Sequence, residues 1–155
     1  MMLRRMGVEW ITSNWPLLKM AVIRSGLVIA RKDEGELNRV LESLLVGKLA
    51  CWVAGDPQVH TVILASVVME EISGTKNVMV YCAHGFRLVK SEEHLEIGKE
   101  FGMIYRNQGC SNVILYSAND KLTKLMNKFN ANTENTLIFF PLVKNLPEVE
   151  DTTNG

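Results

Sequence analysis

The sequence has no excess of charge of either sign, because 17 lysine and arginine residues balance 17 aspartate and glutamate residues. A chain without net charge has no overall field that attracts nucleic acid or an anionic membrane surface. The alternative is a local basic surface near the N-terminal helices, for which a solvated helix face is the simpler interpretation. Its residues are Arg4, Arg5, Arg24, Arg31 and Lys32. Nucleic acid is therefore not expected as a partner.

Long apolar runs are also missing. The longest run, residues 62–69, is much shorter than the ~20 residues that a membrane-spanning helix needs. The stretch after Arg4 and Arg5 resembles the basic start of a signal peptide, but Glu9 and Pro16 interrupt it and no small-residue cleavage site follows. We expect neither a membrane association nor export.

Cysteine is scarce. Cys51, Cys82 and Cys110 are an odd number without a short paired spacing, and each lies in or beside an apolar run. This pattern predicts buried, reduced thiols and a cytoplasmic protein. The cysteines and the three histidines do not form the repeated spacing of a metal-ligand pattern, so no metal site is predicted.

The composition predicts one domain followed by a tail. A chain of 155 residues with 47% hydrophobic residues can bury a single core. Residues 147–155 contain Glu148, Glu150 and Asp151 and little that could be buried. We therefore expect a domain over residues 1–146 and a flexible acidic tail over residues 147–155.

The first half of the chain predicts two helices and then three strands. Ser13 or Asn14 can begin the first helix, and Asp33 with Glu36 forms a capping box for the second, which Gly47 ends. Apolar and β-branched runs then predict three strands, of which the last two form an antiparallel hairpin. These strands cover residues 49–54, 59–72 and 77–83.

The second half alternates between helices and strands. Ser91 is a suitable cap for a helix that extends to Tyr105, with Glu92 and Glu93 in its first turn. A strand over 112–117, a helix over 119–129 and a last strand over 136–143 follow. The complete order is α-α-β-β-β-α-β-α-β.

This order resembles the GNAT superfamily of N-acetyltransferases, and the resemblance covers most of the chain. The segment 109–119 (GCSNVILYSAN) is similar to the family's central strand and to the asparagine, here Asn119, that begins the next helix. The resemblance implies an α/β (α+β) fold with a mixed, mostly antiparallel sheet and helices on both faces. It also implies that the strands 77–83 and 112–117 splay apart and that acetyl-CoA lies between them.

The cofactor loop departs from the family's pattern, which resembles Arg/Gln-x-x-Gly-x-Gly/Ala. Arg87 matches the first position, whereas Lys90 replaces the first glycine and Glu92 replaces the last small residue. A glycine lets the backbone approach phosphate, and a first-turn carboxylate repels it. The resemblance implies Arg87, Lys90, Ser91 and Asn119 as candidate cofactor-binding residues, with Lys90 as a point charge for phosphate.

The catalytic residues implied by the family are incomplete. The position of the usual proton-donating tyrosine, seven residues after Asn119, holds Met126, and a thioether cannot donate a proton. Glu70 or Glu71, at the end of the long strand, is the candidate general base, although both are also explained as solvated strand-end residues. His84 is the only histidine that we expect near the cleft.

These departures favour a non-catalytic binding or assembly module that binds no cofactor and contacts other protein subunits through the exposed rim of the splayed strands. Size and element order are also similar to small GNAT-like proteins of tailed bacteriophages, including virion-associated ones, which implies the host cytoplasm or the virion as location. The alternative is an acetyl-CoA-dependent N-acetyltransferase that acts on an unknown amine.

Overall fold

The structure is a computed structural model that describes residues 2–25, 33–88 and 90–115, without the side chain of Ser91. The elements in chain order are β1 (Leu3–Arg5), α1 (Val8–Ser13), α2 (Trp15–Arg24), α3 (Glu34–Leu45), β2 (Ala50–Ala54), β3 (Thr61–Met69), β4 (Lys76–Gly85), α4 (Ser91–Asn107) and β5 (Asn112–Leu115).

The strands form one sheet in the order β1-β2-β3-β4-β5. Neighbours are antiparallel from β1 to β4, whereas β5 is parallel to β4, with Asn77 opposite Asn112 and Val80 opposite Leu115. The parallel pair needs a crossover connection, and α4 provides it. This mixed, mostly antiparallel sheet with helices on both faces confirms the predicted fold class.

Each face of the sheet has its own apolar core. Along β2, Cys51 and Val53 face the helices α1 to α3, and Ala50, Trp52 and Ala54 face α4. This division follows from the alternation of side chains along a strand. Both faces of β2 are buried, so it is the centre of the fold.

The capping box predicted for α3 is confirmed on its N-cap side. The carboxylate of Asp33 accepts a hydrogen bond from the backbone N–H of Glu36 at 2.8 Å. The helix buries Leu37, Val40 and Leu44, which lie on one face at helical spacing. Gly47 follows the helix with φ +81°, a conformation that suits glycine.

The apolar face of α4 packs on the opposite side of the sheet. Ile97, Phe101 and Tyr105 recur every four residues and are buried. The indole N–H of Trp52 on β2 donates to the hydroxyl of Tyr105 at 2.9 Å, so the buried polar atoms of both side chains are paired. This contact fixes α4 against the middle of the sheet.

The three cysteines are free thiols, as predicted. Cys51 and Cys82 are fully buried, and Cys110 is half-buried. Burial, and secondarily the neighbouring Cys82, raises the pKa of Cys51 to about 12. The thiol therefore stays protonated and unreactive at neutral pH.

Several element boundaries differ from the prediction. β1 was not predicted, because a three-residue strand in which Leu3 alone is buried is too short to show a periodic pattern. The helix predicted to begin at Ser13 or Asn14 is α2, whereas α1, which precedes it, was not predicted. The strand predicted over 59–72 is β3 and ends at Met69, because Glu70 accepts backbone hydrogen bonds that form a turn.

The N-cap of α4 is Lys90, one residue before the predicted cap Ser91. Of the strand predicted over 112–117, β5 covers Asn112–Leu115. The helix predicted over 119–129, the strand over 136–143 and the tail over 147–155 lie outside the described residues.

Candidate functional site

β4 contains an extra residue at the point where its described pairing with β5 ends. Leu64 pairs with Cys82 while the next residue, Ala65, pairs with Val80, so Tyr81 forms a β-bulge. Val80 is also the last β4 residue that pairs with the described part of β5. A bulge bends a strand and turns its side chain to a new direction, and Tyr81 packs on the side of α1 to α3.

The segment between β4 and α4, residues 86–93, is termed the junction segment. It contains two basic residues, Arg87 and Lys90, and two acidic residues, Glu92 and Glu93. The net charge of its side chains is therefore zero. A guanidinium nitrogen of Arg87 lies 3.9 Å from Oε2 of Glu93, which is an ion pair but too long for a hydrogen bond. Both side chains are partly exposed, and such pairs contribute little to stability. Arg87 is therefore held near the helix start without being strongly fixed there.

The N-terminus of α4 is not capped by its N-cap side chain. Lys90 has an extended backbone, and an ammonium group can only donate hydrogen bonds. The first intrahelical bond runs from the N–H of His94 to the carbonyl of Lys90 at 3.2 Å. The backbone N–H groups of residues 91–93 precede that bond and form the positive end of the helix dipole, which favours an anion.

His60 contacts the start of the junction segment through its backbone. Its carbonyl accepts a hydrogen bond from the N–H of Phe86 at 2.7 Å, and its Nδ1 lies 2.8 Å from the hydroxyl of Thr61. Burial, followed by the positive charge of Arg87, lowers the pKa of His60 against the opposite effect of Glu93. The imidazole is therefore neutral at neutral pH.

This position could not be predicted from the sequence, since His60 has neither a motif nor a partner at helical or strand spacing. His84, which we expected near the cleft, is on β4 and contacts Phe86 edge to face, with ring centroids 4.8 Å apart. Both histidines thus lie at the end of the sheet that leads into the junction segment.

A cavity of about 560 Å³ lies between α3 and the sheet, and we term it the α3 cavity. Its acidic wall includes Glu36, whose carboxylate accepts a hydrogen bond from the hydroxyl of Tyr81. Burial, and then the hydrogen bond and charge of Glu36, raises the pKa of Tyr81. The phenol therefore keeps its proton and donates it in a hydrogen bond to the Glu36 carboxylate. Sequence reasoning missed this pair because the bulge that turns Tyr81 toward α3 has no sequence signature here.

The candidate general bases lie at the other end of the β3–β4 hairpin. Glu70 is in the turn after β3 and accepts hydrogen bonds from the N–H groups of Ile72 at 3.0 Å and Ser73 at 2.7 Å. A hydrogen bond with the Ser73 side chain, followed by these two backbone bonds, lowers the pKa of Glu70. Glu71 is exposed in the same turn. The structure does not bring either carboxylate to the bulge or to the junction segment, and their catalytic role stays a prediction.

Of the predicted cofactor residues, the structure brings Arg87 and Lys90 together with the backbone of Ser91. Asn119 and Met126 lie outside the described residues. Within residues 2–25, 33–88 and 90–115, no group of three histidine, cysteine or carboxylate side chains could hold a metal ion. None of the helices in these ranges has the length and apolar character to cross a membrane.

Several solved structures with a similar fold are acetyltransferases or probable acetyltransferases. A probable acetyltransferase superposes with a TM-score of 0.68 and 11% identity, over 92% of this chain and 99% of that chain. Ribosomal-protein-alanine N-acetyltransferase from Brucella melitensis biovar Abortus 2308 gives 0.65 and 11%, over 90% and 99%. A predicted acetyltransferase from Clostridium acetobutylicum, solved with acetyl-CoA, gives 0.65 and 11%, over 92% and 96%.

No protein-family model matches the sequence, and no curated protein matches it significantly. The structural likeness at such low identity establishes the fold: the chain has the fold of the GNAT superfamily.

Proposed function

We propose that this chain is an acetyl-CoA-dependent N-acetyltransferase that acts on an amine. The observation that carries the proposal is the bulge at Tyr81, which follows the β4 residues that pair with β5. A bulge bends its strand, and this bend would turn β4 away from β5. β4 then leads directly into the junction segment and the N-terminus of α4, which the Lys90 side chain does not cap.

The similar solved structures support catalysis more than the non-catalytic module that the sequence favoured. They include a ribosomal-protein-alanine N-acetyltransferase, a probable acetyltransferase and a predicted acetyltransferase, and the last was solved with acetyl-CoA. The fold likeness gives no support to the bacteriophage or virion assignment. The cytoplasmic location and a partner subunit at the strand rim stay predictions.

The residues present fit the pyrophosphate of acetyl-CoA, at an electrostatic cost. The N–H groups of residues 91–93 would donate to phosphate oxygens, and Arg87 and Lys90 would supply the positive charge. Glu92 is exposed in the same turn and would repel the phosphates. We therefore expect weaker binding than in family members whose loop has a glycine or alanine at that position. Ser91 and Asn119 remain candidates for further contacts.

Acetyl-CoA supplies an acetyl group that is activated as a thioester. The methionine at position 126 does not exclude turnover, because an unperturbed thiol has a pKa of about 8.5. A thiolate can therefore leave with little assistance from a proton donor. The chain's own contribution would be to bind the phosphates, to exclude water from the cleft, and to position the amine.

Calorimetric titration with acetyl-CoA and with free CoA tests the proposal. We expect binding by the wild type, and about fivefold weaker binding by Lys90→Ala, since one phosphate contact contributes about 1 kcal/mol. Lys99→Ala is the matched control, because Lys99 is an exposed lysine of the same helix two turns further on. It should bind like the wild type.

Glu92→Gln should have the opposite effect on the affinity for acetyl-CoA. Removal of the first-turn carboxylate should strengthen binding about threefold to fivefold, since the helix dipole and its neighbours contribute roughly 0.3–1 kcal/mol per charge. No heat with either ligand at millimolar concentration, in both the wild type and Glu92→Gln, would overturn the proposal. The binding-module hypothesis would then be the better one, and protein partners would be sought.

A further inference from the structure

We propose that the α3 cavity binds the acceptor, a small molecule with a primary amine and an anionic group, and that Glu36 receives the proton that the amine loses. This inference rests on the proposed acetyltransferase function and names the substrate class of the same site. It depends on the position of the cavity, on its charges, and on the pair formed by Glu36 and Tyr81.

The cavity has the size and position of an acceptor site. Its volume, about 560 Å³, is within the roughly 300–1,000 Å³ of small-molecule sites. It opens on the sheet face covered by α3, and α4 packs on the other face. Tyr81 lines the cavity and also forms the bulge in β4. A molecule in the cavity therefore contacts the bulge, at which the proposed function places the start of the cofactor cleft.

The acidic end of the cavity suits an ammonium group. Asp33 and Glu36 line the wall at the first turn of α3. Tyr81 donates its hydroxyl hydrogen to Glu36, which orients the carboxylate beside the bulge. A carboxylate in this position can bind a protonated amine and can then accept a proton from it.

Positive charges line the same cavity. A guanidinium nitrogen of Arg39 lies at the first turn of α3, because it and the carboxylate of Asp33 are each 3.5 Å from the Cβ position of Gly35. Lys48 lines the cavity beyond the end of α3, and Ser66 adds a hydroxyl from β3. The cavity thus carries both carboxylates and cations. A ligand with an amine at one end and a carboxylate or phosphate at the other matches both.

The transfer step balances with these groups alone. The ammonium group gives one proton to Glu36, and the free nitrogen forms a bond to the thioester carbonyl carbon. The carbon–sulfur bond breaks, and the sulfur leaves with the electron pair and takes the second proton from the nitrogen. The products are an amide and a thiol, and Glu36 returns its proton to water.

The test measures binding of simple probes in the absence of acetyl-CoA. O-Phosphoethanolamine and 3-aminopropanoate carry an amine with a phosphate or a carboxylate. Ethylamine and propanoate each carry one group only. We expect both bifunctional probes to bind at least tenfold more tightly than either single-group probe by calorimetry. The two bifunctional probes show which anion the cations prefer.

Three variants assign the effect to the charge of Glu36. Glu36→Gln keeps a carbonyl that can accept from Tyr81, and it should weaken both bifunctional probes at least tenfold. Tyr81→Phe removes the hydrogen bond but keeps the charge, and should change binding less than threefold. Glu34→Gln is the matched control, because Glu34 lies in the same turn but pairs with Lys19 at 3.2 Å outside the cavity.

Equal binding by Glu36→Gln and Glu34→Gln would overturn the inference, as would equal binding of single-group and bifunctional probes. Titration of acetyl-CoA on the same preparations separates the two proposals. If acetyl-CoA binds and the probes do not, this inference fails and the acetyltransferase function stands. If the probes bind through Glu36 and acetyl-CoA does not bind, the proposed acetyltransferase function is wrong. The assignment of the α3 cavity as its acceptor site is then wrong as well.

Discussion

The two ends of the β3–β4 hairpin belong to one strand pair, which the bulge interrupts, but differ in what covers them. At the end nearest the N-terminus of α4, which we term the covered end, residues Thr61–Ala65 are buried between helices on both faces. At the turn end, Val67, Val68 and Met69 are 42–59% exposed, and Ile72 is 98% exposed. Strand pairing is therefore shared, whereas the environment of each side chain depends on the helices.

The same difference separates the groups that carry chemistry. The bulge at Tyr81, buried His60 and the junction segment all lie at the covered end. At the turn end, Glu70 uses its carboxylate to close the turn. Since a site needs shielded polar groups with fixed orientations, the covered end is where it can form.

The largest expected contrast is between two glycines. A Cβ at Gly55, at the covered end, would lie 2.2 Å from the carbonyl oxygen of Gln58, and φ there is +112°. Gly55→Ala should lower the free energy of unfolding by about 4 kcal/mol, since backbone strain and steric overlap add. Gly74 in the turn has φ +70° but open space around its Cβ position, so Gly74→Ala should cost about 1 kcal/mol.

Urea unfolding of both variants measures this contrast. Similar losses for Gly55→Ala and Gly74→Ala would show that the two ends are equally tolerant and would break the comparison.

The next largest loss of stability is expected from truncation of a buried apolar side chain. Leu64 is fully buried at the covered end, and Leu64→Ala should cost about 3 kcal/mol because it leaves a cavity. Val68→Ala, on the same strand but 42% exposed, should cost less than about 1 kcal/mol. Chemical denaturation at pH 7 checks both values, and a loss at Val68 as large as at Leu64 would mean that another surface covers the turn end.

The smallest effect concerns Glu70 and depends on pH. Its folded-state pKa is lowered below the ordinary 4.5 by hydrogen bonds from Ser73 and Ile72. The stabilisation is therefore present above the unfolded pKa and is lost as pH falls through the folded pKa. Glu70→Gln should be slightly less stable than the wild type at pH 7, and the difference should vanish in acid.

Unfolding midpoints between pH 7 and pH 3 measure that convergence. A stability difference that persists in acid would mean that Glu70 acts through something other than its charge. The rate of acetyl transfer by the same variant decides the general-base prediction, because a base at Glu70 requires a large loss of turnover.

Local sequence signals predicted elements wherever the physics is local. The cap formed by Asp33, the glycine that follows α3, the hairpin and the four-residue recurrence in α4 each depend on residues a few positions apart, and all were found. β1 was missed because its pairing with β2 brings together residues some fifty positions apart along the chain. The N-cap of α4 is one residue before the predicted one, which is within the usual precision of helix ends.

The candidate site was predicted in part for the same reason. Arg87 and Lys90 could be proposed because the resemblance aligns them with the family's cofactor loop, and the structure places both at the start of α4. Glu36 and Tyr81 could not, because they are 45 positions apart and meet only through a bulge. Glu70 and Glu71 were chosen as strand-end carboxylates, and sequence alone does not say which end of a hairpin is covered.

What the sequence alone determined about this protein is most of its helices and strands between residues 15 and 115, their order, and the absence of glycines at the junction segment, because these depend on periodicity and on residue identity. Tertiary structure decided the pairing of β1, which end of the hairpin is buried, where β4 bulges, and that Glu36 meets Tyr81 across a cavity. Those features arise because α1 to α3 cover one face of the sheet and α4 covers the other, and these contacts form between residues that are distant in the chain.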